Sequence, residues 1–335
     1  MKFMMQSCIM VANEICNGGS KMLSGFKSPF SATAYNRCVE QGMEFCGLLT
    51  PSELGTDNVF DNEDKVDAAI SSILDGKCDF VLCNDVYGKI TRQAAQNGLY
   101  FLQGAYGTVS RFGIMQMVSS ADRVGILCKE LSTGVKVLNT ISGYDELDGT
   151  ILPDKSYDYS TESKYAPTAV SFDEIEMKYM DVLSAVFYAV ASAEICNNTN
   201  RYDGVKYGHR AENINGINDL YVRSRTEGLG KDVQIASLVG CMVLAKGNYE
   251  RWYDKAMRIR RLARDYYSQI LENSDVLILP VSVENGDKFD QLALYALPAL
   301  CGFASVSGVY RGAAVQLVCK RGRENAMFAM MSEGR

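Results

Sequence analysis

The sequence predicts an α/β domain. Three observations carry that expectation. Short apolar runs of strand length recur along the chain, helical segments with apolar residues three and four apart separate them, and glycine or proline marks the joints. With 335 residues, 47% of them hydrophobic and 22% charged, the chain has the profile of a soluble protein with a sizeable core. No internal repeat or low-complexity tract divides it, so a single domain over 1–335 is expected.

The elements follow in order. Ser31 to Gln41 reads as a short helix after Pro29, with Ser31 as its N-cap. Met43 to Leu49 reads as a buried strand. Val66, Ala69, Ile70 and Ile73 fall at helical spacing, and Gly76 is placed to end that helix. Phe80 to Cys83 is a short apolar strand. Residues 147–168 are polar and turn-rich, a surface connection. Phe172 to Cys196 reads as one long helix, apolar nearly all round after Val182 and therefore interior. Tyr249, Trp252, Tyr253, Ala256, Ala263, Tyr266, Tyr267 and Ile270 trace a further amphipathic helix. Asp275 to Leu279 is a strand closed by Pro280, Ala313 to Cys319 a last strand, and Met327, Met330 and Met331 mark a C-terminal helix.

Composition excludes several classes of function. The net charge of −6, from 34 basic and 40 acidic residues, argues against a broad nucleic-acid-binding surface. Arg258, Arg260, Arg261 and Arg264 are a local exception. They read either as a solvated helix face or as a docking patch for an acidic partner or tRNA phosphates. The 11 cysteines contain no CxxC pair and point to reduced, mostly buried thiols in a cytoplasmic protein. The longest nearly apolar run, Val182 to Ala193, is too short for a bilayer, which needs roughly 18 residues or more. The N-terminus lacks a signal-peptide core. His209 is the single histidine, so multi-histidine metal sites are excluded; it reads as an unpaired loop residue. Neither a metal nor a cofactor is expected.

Four segments carry a resemblance. These are GSKMLSGFKSPFSATAYNRCVEQG (19–42), AYGTVSRFGIMQMVSSADRVG (105–125) followed by GYDELDGT (143–150), NRYDGVKYGHRAE (200–212), and GKDVQIASLVGCMVLAKGNYERWYDKAMRIRRL (230–262). Together they are similar to the amidase signature family. Within it they resemble the A-type subunits of the glutamyl-tRNA(Gln)/aspartyl-tRNA(Asn) amidotransferases. The resemblance implies a central mixed β-sheet flanked by helices on both faces. It also implies a chain that lacks the family's N-terminal helices and part of its middle segment, with 148–170 a shortened connection.

The family's chemistry uses a buried lysine, a cis serine and a nucleophilic serine, with an oxyanion held by a glycine-rich turn. A serine hydroxyl needs a base, the lysine must be neutral part of the time, and the turn must present bare N–H groups. Carried over position by position, the lysine falls on Gln6, the cis serine on Lys65 and the nucleophile on Lys89. The SDTGGS turn falls on Asn84 to Lys89, so Asp85, Val86, Tyr87 and Gly88 stand as oxyanion-turn equivalents. The family's substrate-binding arginine would fall near Ile235 and Ala236. A carboxamide does not titrate usefully. An amide formed on a lysine is a dead end for hydrolysis. No catalytic residue is therefore expected at these positions.

Three readings follow from the resemblance. The first is a non-catalytic scaffold or regulatory subunit. The second is a rewired enzyme in which adjacent Lys65 and Lys89, or Cys83 beside the turn as an alternative nucleophile, take over. Its bland counterpart pairs the lysines with Asp64, Asp67 or Asp85 and buries Cys83. The third is an amidotransferase component with a partner-dependent site that supplies ammonia for tRNA-dependent amidation. Expected partners are relatives of the amidotransferase's B or C subunits, or a second copy of the chain, with no membrane and with tRNA only indirectly involved.

Overall fold

A computed structural model describes all residues except 57, 58, 60–64, 155, 163, 165–171, 284, 285 and 335. Its frame is a mixed eight-stranded sheet. The strands are β1 (Lys2–Gln6), β2 (Glu44–Leu49), β3 (Phe80–Asn84), β4 (Tyr100–Gln103), β5 (Val124–Cys128), β6 (Leu277–Pro280), β7 (Ala304–Tyr310) and β8 (Ala313–Cys319). They lie in the order β2-β1-β3-β5-β4-β7-β8-β6. Only β1 runs parallel to its neighbours, β2 and β3; the remaining pairs are antiparallel.

The strands alternate between two apolar layers, as a period of two requires. Val81 and Cys83 of β3, Phe101 of β4 and Leu127 of β5 meet α2 (Ala68–Leu74) and α3 (Lys89–Gln96) through Ile70, Ile73, Ile90 and Ala94. Their neighbours Phe80, Leu82, Leu102 and Ile126 face the other way and join a larger cluster. That cluster takes in α4 (Leu131–Ile141), α5 (Met180–Thr199), α8 (Lys255–Asn273), α9 (Lys288–Cys301) and α10 (Glu324–Glu333). Phe3 of β1 stacks on Phe80 with ring centroids 5.3 Å apart. Each such fully buried side chain contributes about 1.5–3 kcal/mol.

Several elements differ from the sequence expectation. Helix α1 spans Thr33–Glu40 and has no side-chain cap. Ser31 instead accepts a hydrogen bond from Ala12 N at 2.9 Å, tying down the first loop. Strand β2 sits at the sheet edge and is half-exposed rather than buried, because it pairs only with β1. Asp67, not Val66, begins α2, its carboxylate accepting from Ala69 N at 2.9 Å; Val66 is exposed. The helix expected from Phe172 starts only at Met180, after Tyr179 takes a left-handed φ of 69°. Before it the backbone is held by other bonds: Tyr266 and Tyr267 donate their hydroxyls to Glu176 O and Lys178 O, each at 2.7 Å. By length and composition α5 could cross a membrane, yet most of it packs inside the protein. Trp252 falls on a wide π-turn (Glu250–Asp254) ahead of α8 and Tyr249 just before it, and both are exposed. The basic cluster on α8 divides. Arg258 and Arg261 are exposed and pair with Asp254 and Asp265 at i,i+4 spacing. Arg260 turns inward and donates to Leu300 O at 2.8 Å.

The GYDELDGT segment binds two loops through its aspartates. Asp145 accepts from Ser110 Oγ at 2.5 Å, Thr33 Oγ1 at 2.6 Å and Leu147 N at 3.0 Å. Asp148 accepts from Arg111 N at 2.8 Å and from Thr150 N and Oγ1 at 3.0 and 2.7 Å. Burial alone would raise both pKa values. The donors outweigh it, with Arg37 and Arg111 adding attraction, and both carboxyls end below the ordinary 3.8. A depressed folded pKa gives stability that is present above the unfolded value and lost as pH falls through the folded one. Denaturant melts should therefore lose stability as pH drops below about 4. An Asp145→Asn, Asp148→Asn double variant, weaker at neutral pH, should show a flatter acid limb.

Candidate functional site

The carboxyl ends of the parallel strands β1 and β3 lead to the N-termini of α2 and α3, the end of an open α/β sheet at which a ligand crevice is commonly placed. Gln6 closes β1. It is buried, and its Oε1 accepts from Asn84 N at 3.0 Å, so the carboxamide clamps the end of β3. Asn84 in turn donates from Nδ2 to Asp122 Oδ1 at 3.1 Å. Asp122 Oδ2 accepts from Met117 N and Val118 N at 2.8 and 3.0 Å. Burial pushes the Asp122 carboxyl up, and these donors hold it back.

The turn after β3 leads into α3. Asp85 accepts from Thr91 N and Thr91 Oγ1, both at 2.8 Å, and so caps the first turn of the helix. Val86 is buried. Tyr87 is buried too, its ring 6.0 Å from Phe187 and 6.2 Å from Tyr188 of α5. An aromatic side chain thus fills the turn at a position where the family resemblance places glycine. Gly88 caps α3 with φ of 81°, a conformation that favours glycine.

Lys89 points across the crevice. Its ammonium lies 4.0 Å from Asp67 Oδ2 and donates to Ser52 Oγ at 3.3 Å. Lys65 is exposed, and its carbonyl accepts from Gln93 Nε2 at 3.0 Å, one turn along α3 from Lys89. Of the carboxylates weighed for Lys89, Asp67 lies within 4.0 Å, Asp85 accepts from Thr91, and Asp64 lies outside the described residues. Cys83 is fully buried among Val81, Ile90 and Phe101 on the α3 side of the sheet, and burial pushes its thiol well up. Cys8, whose thiol lies 3.8 Å from Gln6 Oε1, is likewise pushed up to about 12. A buried neutral thiol is a poor nucleophile.

The rim is set by Glu53. It accepts from Ser20 Oγ at 2.5 Å and from Gly230 N at 2.8 Å, which fastens α7 (Lys231–Leu244) to the loop carrying Ser52. Burial raises the Glu53 carboxyl. On α7, Ile235 is half-buried and Ala236 buried, both without a charge to offer a ligand. His209 is not unpaired: its Nε2 is 3.0 Å from Glu227 Oε2 on α6 (Gly216–Gly228), joining the RYDGVKYGH loop to that helix.

Chemically, the crevice offers a fixed ammonium flanked by a carboxylate and a hydroxyl. It brings Gln6, Asn84 and Asp122 into one buried polar chain, and Lys89, Asp67 and Ser52 into one cluster. Sequence reasoning assigns no role to Asp122, Ser52 or Glu53 and places Asn84 only as the first residue of the turn. Asp122 lies in the SSADRVG motif, which is its available signal.

A family model described as Amidase matches residues 164–300. The A-type component of the glutamyl-tRNA(Gln) amidotransferase from Lactococcus lactis subsp. cremoris strain SK11 is 29% identical over 313 residues, covering 78% of this chain. The chain spans 64% of the length of that relative. Among solved structures, the corresponding amidotransferase component from Thermotoga maritima superposes with a TM-score of 0.73 at 18% identity, over 99% of this chain and 82% of that one. Peptide amidase from Stenotrophomonas maltophilia gives 0.73 at 16% identity, over 99% and 81%. Over residues 164–300 the chain is similar to the amidase family, over most of its length it is similar to the A-type component of the glutamyl-tRNA(Gln) amidotransferase, and it shares the fold of the amidase-signature structures.

Proposed function

We propose that this chain is a non-catalytic amidase-signature protein, a scaffold or regulatory subunit. The observation that carries the reading is the chemistry at the two ends of the crevice. Gln6, where the resemblance places the base, is a buried carboxamide spent on Asn84 N. Lys89, where it places the nucleophile, has its ammonium beside Asp67 and Ser52. A carboxamide at Gln6 cannot take a proton from a serine hydroxyl, and no serine stands at position 65 or 89 to be deprotonated. Tyr87 supports the same reading, because its buried ring occupies the turn that would have to admit an acyl group.

The partners this reading calls for are relatives of the amidotransferase's B or C subunits, in the cytoplasm. Eleven free thiols suit a reducing compartment. Purified protein given glutamine, asparagine and simple amides should release no ammonia above the uncatalysed rate. Turnover that Lys89→Ala abolishes would remove the reading. Co-purification from the native cell identifies the partner.

A further inference from the structure

Helices α5 and α7 run along a close seam. A Cβ added to Gly240 would meet Ser192 O at 2.1 Å and Cys196 Cβ at 2.5 Å, so the two backbones approach as near as glycine permits. One turn along the seam, Thr199 Oγ1 and Ser237 Oγ lie 3.4 Å apart. Beside these contacts the sulfurs of Cys196 and Cys241 stand 3.3 Å apart. Both are free thiols; Cys196 is buried and Cys241 is exposed. A disulfide needs its sulfurs about 2.05 Å apart, a closure of roughly 1.3 Å that small side-chain rotations supply.

We propose that Cys196 and Cys241 are an oxidation site that takes a hydroperoxide and closes to an intramolecular disulfide. The asymmetry of exposure orders the steps. The Cys241 thiolate attacks a peroxide oxygen, the O–O bond breaks, and the leaving hydroxide departs as water, giving a sulfenic acid at Cys241. Cys196 then loses its proton and attacks the Cys241 sulfur. The S–S bond forms, the S–O bond breaks, and a second water leaves. Two thiols are oxidised by two electrons and one hydrogen peroxide is reduced to two waters. Burial and the neighbouring sulfur push the Cys196 thiol up to about 11, which leaves the first attack to Cys241; Cys196 takes the second step because its sulfur already stands 3.3 Å from the sulfur it must attack. The crosslink would pin α5, which carries Tyr188 against Tyr87, to α7, which begins at the Glu53 rim. It therefore fixes the walls of the crevice without touching its polar residues.

The test uses the whole chain and hydrogen peroxide near stoichiometric amounts. After quenching, denaturation and alkylation, peptide mapping should find the Cys196 and Cys241 peptides linked, with two of the 11 thiols lost. Reduction should restore them. The apparent melting temperature should rise by roughly 2–8 °C. Cys241→Ser should show neither the link nor the rise. Cys46, the other exposed cysteine, is the internal comparison and should still alkylate. The proposal is overturned if Cys241 is recovered as a sulfinic acid with Cys196 alkylated, or if Cys241 links two chains instead.

Discussion

Alanine at position 88 is expected to cost roughly 3–5 kcal/mol, the sum of a backbone and a packing penalty. The backbone part comes from φ of 81°, which an L side chain rarely adopts, and is worth about 1 kcal/mol. The packing part is larger. The new Cβ would lie 2.0 to 2.5 Å from three ring atoms of Tyr295. That ring cannot swing away freely, because it is buried on α9 and its hydroxyl donates to Val281 O at 2.6 Å. Either the hydrogen bond breaks or the start of α3 shifts, and Lys89 shifts with it. Gly76→Ala separates the two parts. Gly76 has φ of 67° with nothing within 4 Å of an added Cβ, so it should lose only about 1 kcal/mol. Urea melts of both variants decide the matter; equal losses would mean that the Tyr295 ring yields without cost. The approach of the Tyr295 ring is by itself a packing reason for glycine at this position.

The legible part of this protein was its pattern. β8 was readable to the residue and β3 nearly so, because apolar runs bounded by glycine and charge leave few alternatives; the three methionines marked α10 without fixing its ends. The interior position of α5 followed from its all-round apolar surface. Edges were less readable. Met43 to Leu49 looks as apolar as a central strand, and only the sheet order reveals β2 as an edge. The start of α5 was hidden because Tyr179 breaks the helix through a conformation that tyrosine does not advertise. Ser31 has the chemistry of a cap but spends its oxygen on Ala12 N, a long-range bond no local rule foresees. At the crevice the same division holds. Motif positions led to Gln6, Lys89 and the turn between. The pairing of Lys89 with Asp67 and Ser52, and of His209 with Glu227, depends on chain segments far apart in sequence. Composition could not show that Cys83 faces α3 in a closed apolar layer, whereas strand alternation, once the register is known, makes it unavoidable.

Asp122→Ala is expected to be the most damaging polar substitution, at about 3–5 kcal/mol, because it strands three buried donors at once. Met117 N, Val118 N and Asn84 Nδ2 all end on this one carboxylate, which is 1% exposed. Water cannot enter to replace it without opening the end of the sheet. The loss should also spread. Asn84 lies between Asp122 and Gln6, so freeing its side chain loosens the bond from Asn84 N to Gln6 Oε1 and with it the floor of the crevice. Asp122→Asn keeps one acceptor oxygen but turns an NH2 group toward other donors. It should fall between wild type and alanine. A double-mutant cycle with Gln6→Ala measures the reach of the chain. Coupling of about 0.5–3 kcal/mol is expected for members of one hydrogen-bonded network. Additive losses would show that Gln6 and Asp122 hold β3 independently. Gln6 would then be a local filler at the end of β1, and the polar chain would not be the support on which this end of the sheet rests.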